Sequence, residues 1–309
     1  MRQLFAWLLL LIASASLAVP PGEVSSSAET VCMLRAIGAQ HPDPKLRNAD
    51  TLASRFCPLP AEFATYEAAR AAINLNPQQS AGFFYVNART LHIDAMLLRA
   101  AREGTTQVVV LGAGFDSRAY RFAASQPQLH FFEVDLPDTL AAKKQRVIAA
   151  LGALPPQVRY AAIDFDHQTL QDVLPPAGYD ARLRTLFILE GVSMYISAQG
   201  TASTLQFIAR HAAPGSRLVF DYALRRAIEG PREGLFGMTE TFDALRARGE
   251  PMVTGWTQAE AASFVGANGL VLTDDLGSDQ LTQRYLIGTD GQPDGRMLEG
   301  NRILDARVQ

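Results

Sequence analysis

Five short, largely apolar runs recur between residues 107 and 222: QVVVLG (107–112), LHFFEVD (129–135), VRYAAID (158–164), TLFILEG (185–191) and SRLVFDY (216–222). Helical stretches at 138–151, 167–173 and 199–212 separate the later ones. A strand apolar on both sides of its pleat must be covered on both faces. Strands alternating with helices therefore predict a mostly parallel sheet with helices on each side. The chain has 309 residues, 48% of them hydrophobic, enough to bury a core of that size in one large α/β domain.

The flanks do not share this rhythm. Residues 25–80 read as helical and irregular, interrupted at Pro42, Pro44, Pro58 and Pro60. In FFYVNARTLHIDAMLLRAAREG, Leu91, Met96, Leu97 and Leu98 favour a helix that Gly104 stops. After the fifth strand, residues 223–256 form a charged, helix-like insert. TQAEAASFVGANG then predicts a helix ending at Gly266 or Gly269, and LVLTDDL and RYLIGTD an antiparallel pair at the sheet edge. The first 24 residues stand apart from the fold. Arg2, an apolar run from Leu4 to Ala13, and the small residues Ser16 and Ala18 predict an export signal or a membrane anchor, with membrane association through residues 4–19. Residues 25–309 are then the folded domain.

A net charge of −3 and the lack of a Lys/Arg run argue against a nucleic-acid partner. Two cysteines, Cys32 and Cys57, make neither a disulfide scaffold nor a zinc site, and no metal is expected. Whether they pair depends on a distance that sequence does not give.

Chemistry concentrates where strands end. In VVVLGAGFDSRAYR, Gly112 and Gly114 form a G-x-G turn that exposes backbone N–H groups to a ligand. The third glycine of a dinucleotide fingerprint is replaced by Ser117. Asp135 ends the second strand about 20 residues later, where an acid accepts from ribose hydroxyls and repels a 2′-phosphate. That leaves NAD and S-adenosylmethionine (SAM). Glu133, two residues earlier, is either a second ligand acid or a solvated strand end. Asp164 could accept from an adenine amino group and Phe165 could lie against its ring; the alternative for Asp164 is a helix cap. Glu190 is delivered by an apolar strand straight to the cleft, where a carboxylate wants a cation. SAM carries two, which favours it over NAD.

These motifs, in this order and spacing, resemble the leucine carboxyl methyltransferase-like family of class I SAM-dependent methyltransferases. VVVLGAGFDSRAYR, FFEVDLPDTLAAKKQRV, AIDFD and LFILEGVSMYI carry the resemblance, with HPDPKLRNADTLASRF and ARTLHID upstream and GEPMVTGWTQAEAASFVGANGL downstream, over roughly residues 28–290. It implies a Rossmann-like α/β fold: a mostly parallel seven-stranded sheet with an antiparallel edge strand, an N-terminal helical extension and the insert after strand five. It also implies roles. Arg89 holds the methionine carboxylate, Gly112 lies against the methionine portion, Asp135 holds the ribose, Asp164 and Phe165 the adenine, and Glu190 sits near the ammonium. Lys45 matches a basic residue near the carboxylate only across a gap.

The expected reaction is in-line transfer of a methyl group to a carboxylate or acidic hydroxyl of a small molecule or peptide. A carboxylate is ionised at neutral pH and needs no base; a hydroxyl does. Tyr195 and Tyr222 follow strands four and five and could orient the acceptor. Leu235, Phe236, Met238 and Phe242 of the insert could line its pocket or pack on the core. Two other readings remain: an NAD-dependent oxidoreductase, and an exported, non-catalytic binding protein that keeps the fold. SAM dependence implies the cytoplasm, whereas the N-terminus points outward.

Overall fold

Helices precede the first strand, as the irregular, proline-broken N-terminal sequence predicts. In the computed structural model, which describes residues 25–164 and 167–309, this part comprises α1 (Ser26–Gly38), α2 (Ala53–Phe56), a 3-10 turn at Ala61–Phe63, α3 (Tyr66–Leu75) and the long α4 (Ala81–Arg102). Ser25 and Thr65 begin α1 and α3 by accepting from the backbone N–H groups of Ala28 and Ala68. The export-signal and membrane-anchor expectation for residues 1–24 lies outside the described residues. Among the described residues, no helix is long and apolar enough to cross a membrane.

The alternating region follows: β1 (Gln107–Leu111), α5 (Arg118–Ala123), β2 (His130–Asp135), α6 (Pro137–Leu151), β3 (Val158–Ala162), α7 (Leu170–Val173), β4 (Thr185–Leu189), α8 (Ala198–His211) and β5 (Arg217–Leu224). Every residue of β1 and β4 is buried, as two-sided cover requires. Pro137 opens α6 and Gly152, at φ +83°, closes it. The chain ends with α9 (Arg225–Glu229), α10 (Met238–Ala247), β6 (Gly255–Trp256), α11 (Gln258–Ala267), β7 (Val271–Leu276), α12 (Ser278–Tyr285) and β8 (Asn301–Arg307).

The strands form one eight-stranded sheet in the order β3-β2-β1-β4-β5-β8-β7, with the two-residue β6 added beside β5. That short addition is the strand beyond the seven expected. The pairs β1–β2, β2–β3, β1–β4 and β4–β5 are parallel, while β8 runs antiparallel to both β5 and β7. The antiparallel strand thus stands one place in from the edge. RYLIGTD is not a strand. Arg284 and Tyr285 finish α12, and Ile287 makes a single bridge to Pro293. The closing strand is NRILDAR. The long connection through α12 lets that strand insert between β5 and β7, which a tight turn would forbid.

Side-chain alternation divides the core in two. Val108, Val110, Phe131, Ile188 and Val219 pack with α1, α2 and α4 through Ile37, Phe56, Ile93 and Leu97. Val109, Leu111, Phe132, Phe187 and Phe220 pack with α8 and α11 through Leu205, Ile208 and Val265. Cys32 of α1 and Cys57, just past α2, are joined by a disulfide within the first core.

Candidate active site

A cavity of about 710 Å³ opens over the carboxyl ends of the central strands, on the face that α1 and α4 cover. Open α/β sheets bind ligands at this place, and the size suits a small-molecule site. Its walls include α1 (Ala28, Val31, Leu34), α4 (Tyr85, Val86, Arg89), the loop after β4 (Gly191, Tyr195) and the insert (Ala244, Arg248, Met252). Two of these walls are tied together. The Glu250 carboxylate accepts from the backbone N–H groups of Ser26 (2.9 Å) and Ser27 (3.2 Å) and from the Ser25 hydroxyl (3.1 Å). An anion there complements the positive end of α1.

Parity along the strands decides which acids turn toward α4. On β5, Asp221 shares the face of Val219 and Ala223, toward α4; on β4, the residue after Leu189 is Glu190, in phase with Leu186 and Ile188. Arg89, projecting from α4, meets both. Its Nε lies 2.9 Å from Glu190 Oε1, and its Nη1 donates to Asp221 Oδ2. Asp221 also accepts from Gly191 N (2.6 Å) and the Tyr85 hydroxyl (3.1 Å). Glu190 takes a second cation, Arg118 Nη1, at 2.6 Å, and Arg118 in turn pairs with Asp94 and Asp116. Burial disfavours the Arg89 charge, yet Asp221 and Glu190 outweigh it and raise its pKa. Burial likewise opposes ionisation of Glu190, but Arg118 and Arg89 hold its carboxyl below the ordinary value. Among the described residues, Arg89 Nη2 makes no hydrogen bond, and Arg89 lines the cavity.

The glycine turn stands beside this cluster. Gly112 has φ +67°, and a Cβ there would lie 2.4 Å from Val192 Cγ2. Gly114, at φ +39°, donates its N–H to Asp135 Oδ2 at 2.7 Å. Asp135 Oδ1 accepts from Leu136 N at 2.7 Å. Burial raises the Asp135 pKa against these two N–H groups. Gly112, Asp135, Asp164 and Glu190 all line the cavity with Arg89. Asp164 Oδ2 lies 2.8 Å from His167 Nδ1. Phe165 lies outside the described residues. Ser117, in place of the third glycine, donates its hydroxyl to Asp50 at 2.5 Å and is buried.

Glu133 is neither a ligand acid nor a solvated strand end. It is wholly buried beneath the glycine turn, 2.6 Å from Lys143 Nζ, and accepts from the Tyr120 hydroxyl at 2.6 Å. Lys143 also donates to the Ala113 carbonyl at 3.0 Å, within the turn. Burial pushes the Glu133 carboxyl up from 4.5 to about 7, against Lys143 and Tyr120. A raised folded-state value means the stability Glu133 confers is complete below its unfolded value and is lost as pH rises through about 7. The difference is worth about 3 kcal/mol. In denaturant titrations, the parent should lose about that much relative to Glu133→Gln between pH 4 and pH 8. A parent-to-variant difference that does not change with pH would refute it.

The two tyrosines separate. Tyr195 lines the cavity, and burial pushes its hydroxyl pKa well up. Tyr222 does not reach the cavity. It is fully buried on the opposite face of β5, against Phe220 and Trp256, and donates to Asp275 Oδ2 at 2.9 Å. Its place in the strand, one residue after Asp221, turns it away. Lys45 is exposed and its Nζ reaches the Gly288 carbonyl at 3.5 Å; the cation that joins Arg89 in lining the cavity from the N-terminal helices is Arg35, paired with Asp50 at 2.8 Å. Leu235, Phe236, Met238 and Phe242 pack on the core, while Thr241, Ala244, Leu245 and Arg248 of the same insert face the cavity.

The sheet order and the antiparallel strand beside β5 agree with the Rossmann-like fold that the resemblance implies, and the acid-lined cavity lies at the strand tips. A sequence model of the leucine carboxyl methyltransferase family matches residues 28–209, and the chain belongs to that family. It is 30% identical over 222 residues to YktD of Bacillus subtilis, spanning 70% of this chain and 68% of that one. It is 31% identical over 226 residues to SCO7813 of Streptomyces coelicolor, spanning 68% and 73%. Both are named as S-adenosyl-L-methionine-dependent methyltransferases. Two solved structures share the fold at low identity. A DUF574 family protein from Streptomyces avermitilis superposes with a TM-score of 0.54 at 15% identity, over 86% of this chain and 99% of its own. A protein from Thermobifida fusca, named as a methyltransferase, gives 0.53 at 16%, over 79% and 90%. The enzyme uses SAM. Neither the NAD reading nor the non-catalytic one finds support in these relationships.

Proposed function

We propose that the chain methylates an oxygen of a small molecule or peptide, a carboxylate or acidic hydroxyl, and that residues 25–309 form the methyltransferase unit, with 223–256 supplying a wall of the acceptor site. The observation that carries the cofactor's placement is the charge of the cavity wall. Five acids (Asp116, Asp135, Asp164, Glu190, Glu250) face three arginines (Arg35, Arg89, Arg248). That excess favours a ligand of net positive charge, as SAM is, and disfavours a pyrophosphate.

Within this reading Arg89 offers Nη2 to the methionine carboxylate, Glu190 takes the ammonium, Gly112 and Gly114 allow close approach, Asp135 holds the ribose, and Asp164 the adenine. When bound, SAM supplies a methyl carbon made electrophilic by its positive sulfur. The protein's part is alignment and exclusion of water. Tyr195, with its raised pKa, keeps its proton at neutral pH and serves as a donor that orients the acceptor, not as a base. Among the described residues no histidine lines the cavity. An acceptor already ionised fits such a site. Calorimetric titration should show SAM and S-adenosylhomocysteine binding at least about 100-fold more tightly than NAD. Equal or tighter NAD binding would overturn this placement.

A further inference from the structure

Asn301 carries a polar group that no described residue satisfies. It opens β8, is 5% exposed and lines the cavity. Its backbone pairs with Ala223 of β5. Its side-chain Oδ1 is shut from solvent without a hydrogen-bond partner, and among the described residues its amide takes part in no hydrogen bond. Such a group costs stability unless a ligand completes it. Parity puts Asn301 on the face of Ile303 and, through the β5 pairing, on the face of Asp221.

The sheet order says which ligand. If the cofactor spans the tips of β3, β2, β1 and β4, as proposed above, the next strands along are β5 and β8. The space over them belongs to the acceptor. Asn301 is neutral, so a charged group set against it would lie buried without a counter-charge. A primary amide both donates and accepts, and its two ends exchange by a half-turn of the side chain. Its complement is a neutral group with the same double capacity.

We propose that Asn301 is an acceptor-binding residue that hydrogen-bonds a hydroxyl or amide group of the acceptor, a group distinct from the oxygen that is methylated. The acceptor is then an apolar acid bearing a second, neutral hydrogen-bonding substituent. The inference rests on the cofactor placement given above.

Two measurements test it on the full chain. Asn301→Leu removes the unsatisfied amide at similar volume, so it should raise Tm by roughly 2–4 °C, where loss of a structural amide would lower it. Asn301→Ser serves as a milder second variant. Calorimetry in saturating S-adenosylhomocysteine then compares hexanoate and 4-phenylbutanoate with their 2- and 3-hydroxy and 2-acetamido derivatives. The parent should prefer at least one derivative over its plain acid by about tenfold or more, and both variants should lose the preference while binding S-adenosylhomocysteine as the parent does. A lowered Tm for Asn301→Leu, a preference that survives substitution, or no preference in the parent each overturns the proposal. Failure of the parent to bind S-adenosylhomocysteine would instead remove the cofactor placement beneath it, and the role of Asn301 with it.

Discussion

Arg89→Ala should lose SAM binding by about 100-fold and destabilise the fold by about 3–5 kcal/mol at once. Both effects come from one guanidinium. Arg89 is 5% exposed and is set between Glu190 and Asp221. Without it, Glu190 keeps Arg118, but among the described residues Asp221 keeps only the Tyr85 hydroxyl and the Gly191 N–H. A buried carboxylate that loses its cation bears the desolvation cost unrelieved. In the proposed cofactor placement, the methionine carboxylate loses a charge-assisted hydrogen bond in the same stroke. Arg89→Lys keeps the charge but cannot serve two acids and a ligand in one plane, so it should recover stability in part and affinity less. Thermal unfolding and SAM calorimetry on both variants check this. Affinity equal to the parent's would take Arg89 out of the cofactor site. Unchanged stability would mean that Asp221 has another counter-charge.

What can be read from sequence follows from how far each signal reaches along the chain. β1 to β5 are legible because runs such as QVVVL and TLFIL bury both faces and leave little else they could be. Glu190 is legible because an acid directly after such a run must meet a cation or water. The same reasoning applies to Asp221 within LVFDYAL, yet the tyrosine beside it looks the more chemical residue. Strand parity separates them, and parity needs a reference residue whose face is known. Arg118 and Arg35 need the third dimension. Apart from the Arg118–Asp116 contact, they act through acids 15 to 72 residues away, which no local pattern announces. Glu250 is further removed still, 224 residues from the helix end it caps.

The C-terminal edge misleads for a different reason. RYLIGTD has the composition of a strand, whereas NRILDAR carries an asparagine, two arginines and an aspartate. Two of those polar residues have partners only the fold supplies: Asp305 lies 3.2 Å from His92, and Arg302 donates to Asp275 at 2.8 Å. Composition reports burial when a strand is covered by apolar neighbours. It misreports when the cover is itself polar and paired.

Removing the disulfide should cost about 3 kcal/mol, with cofactor affinity changed only a few-fold. Cys32 and Cys57 lie 25 residues apart, and both are buried, so the bond closes a loop of moderate length in the unfolded chain. Its loss acts mainly on that unfolded state. The cavity wall formed by α1 has other ties. Arg35 pairs with Asp50 and donates to the Phe115 carbonyl at 2.6 Å, and Glu250 holds the opposite end of the helix. Ala28, Val31 and Leu34 therefore keep their places when the sulfurs part. Cys32→Ala/Cys57→Ala should lower Tm by about 6–12 °C. A reductant should do the same to the parent and nothing to the variant, which separates the bond from any packing defect at the substituted positions. If the reductant leaves the parent's Tm unmoved, the bond contributes nothing to stability. If it also abolishes SAM binding at temperatures where the protein stays folded, the salt bridge and the Glu250 cap are too weak to hold α1, and the disulfide is what keeps the cavity closed on that side.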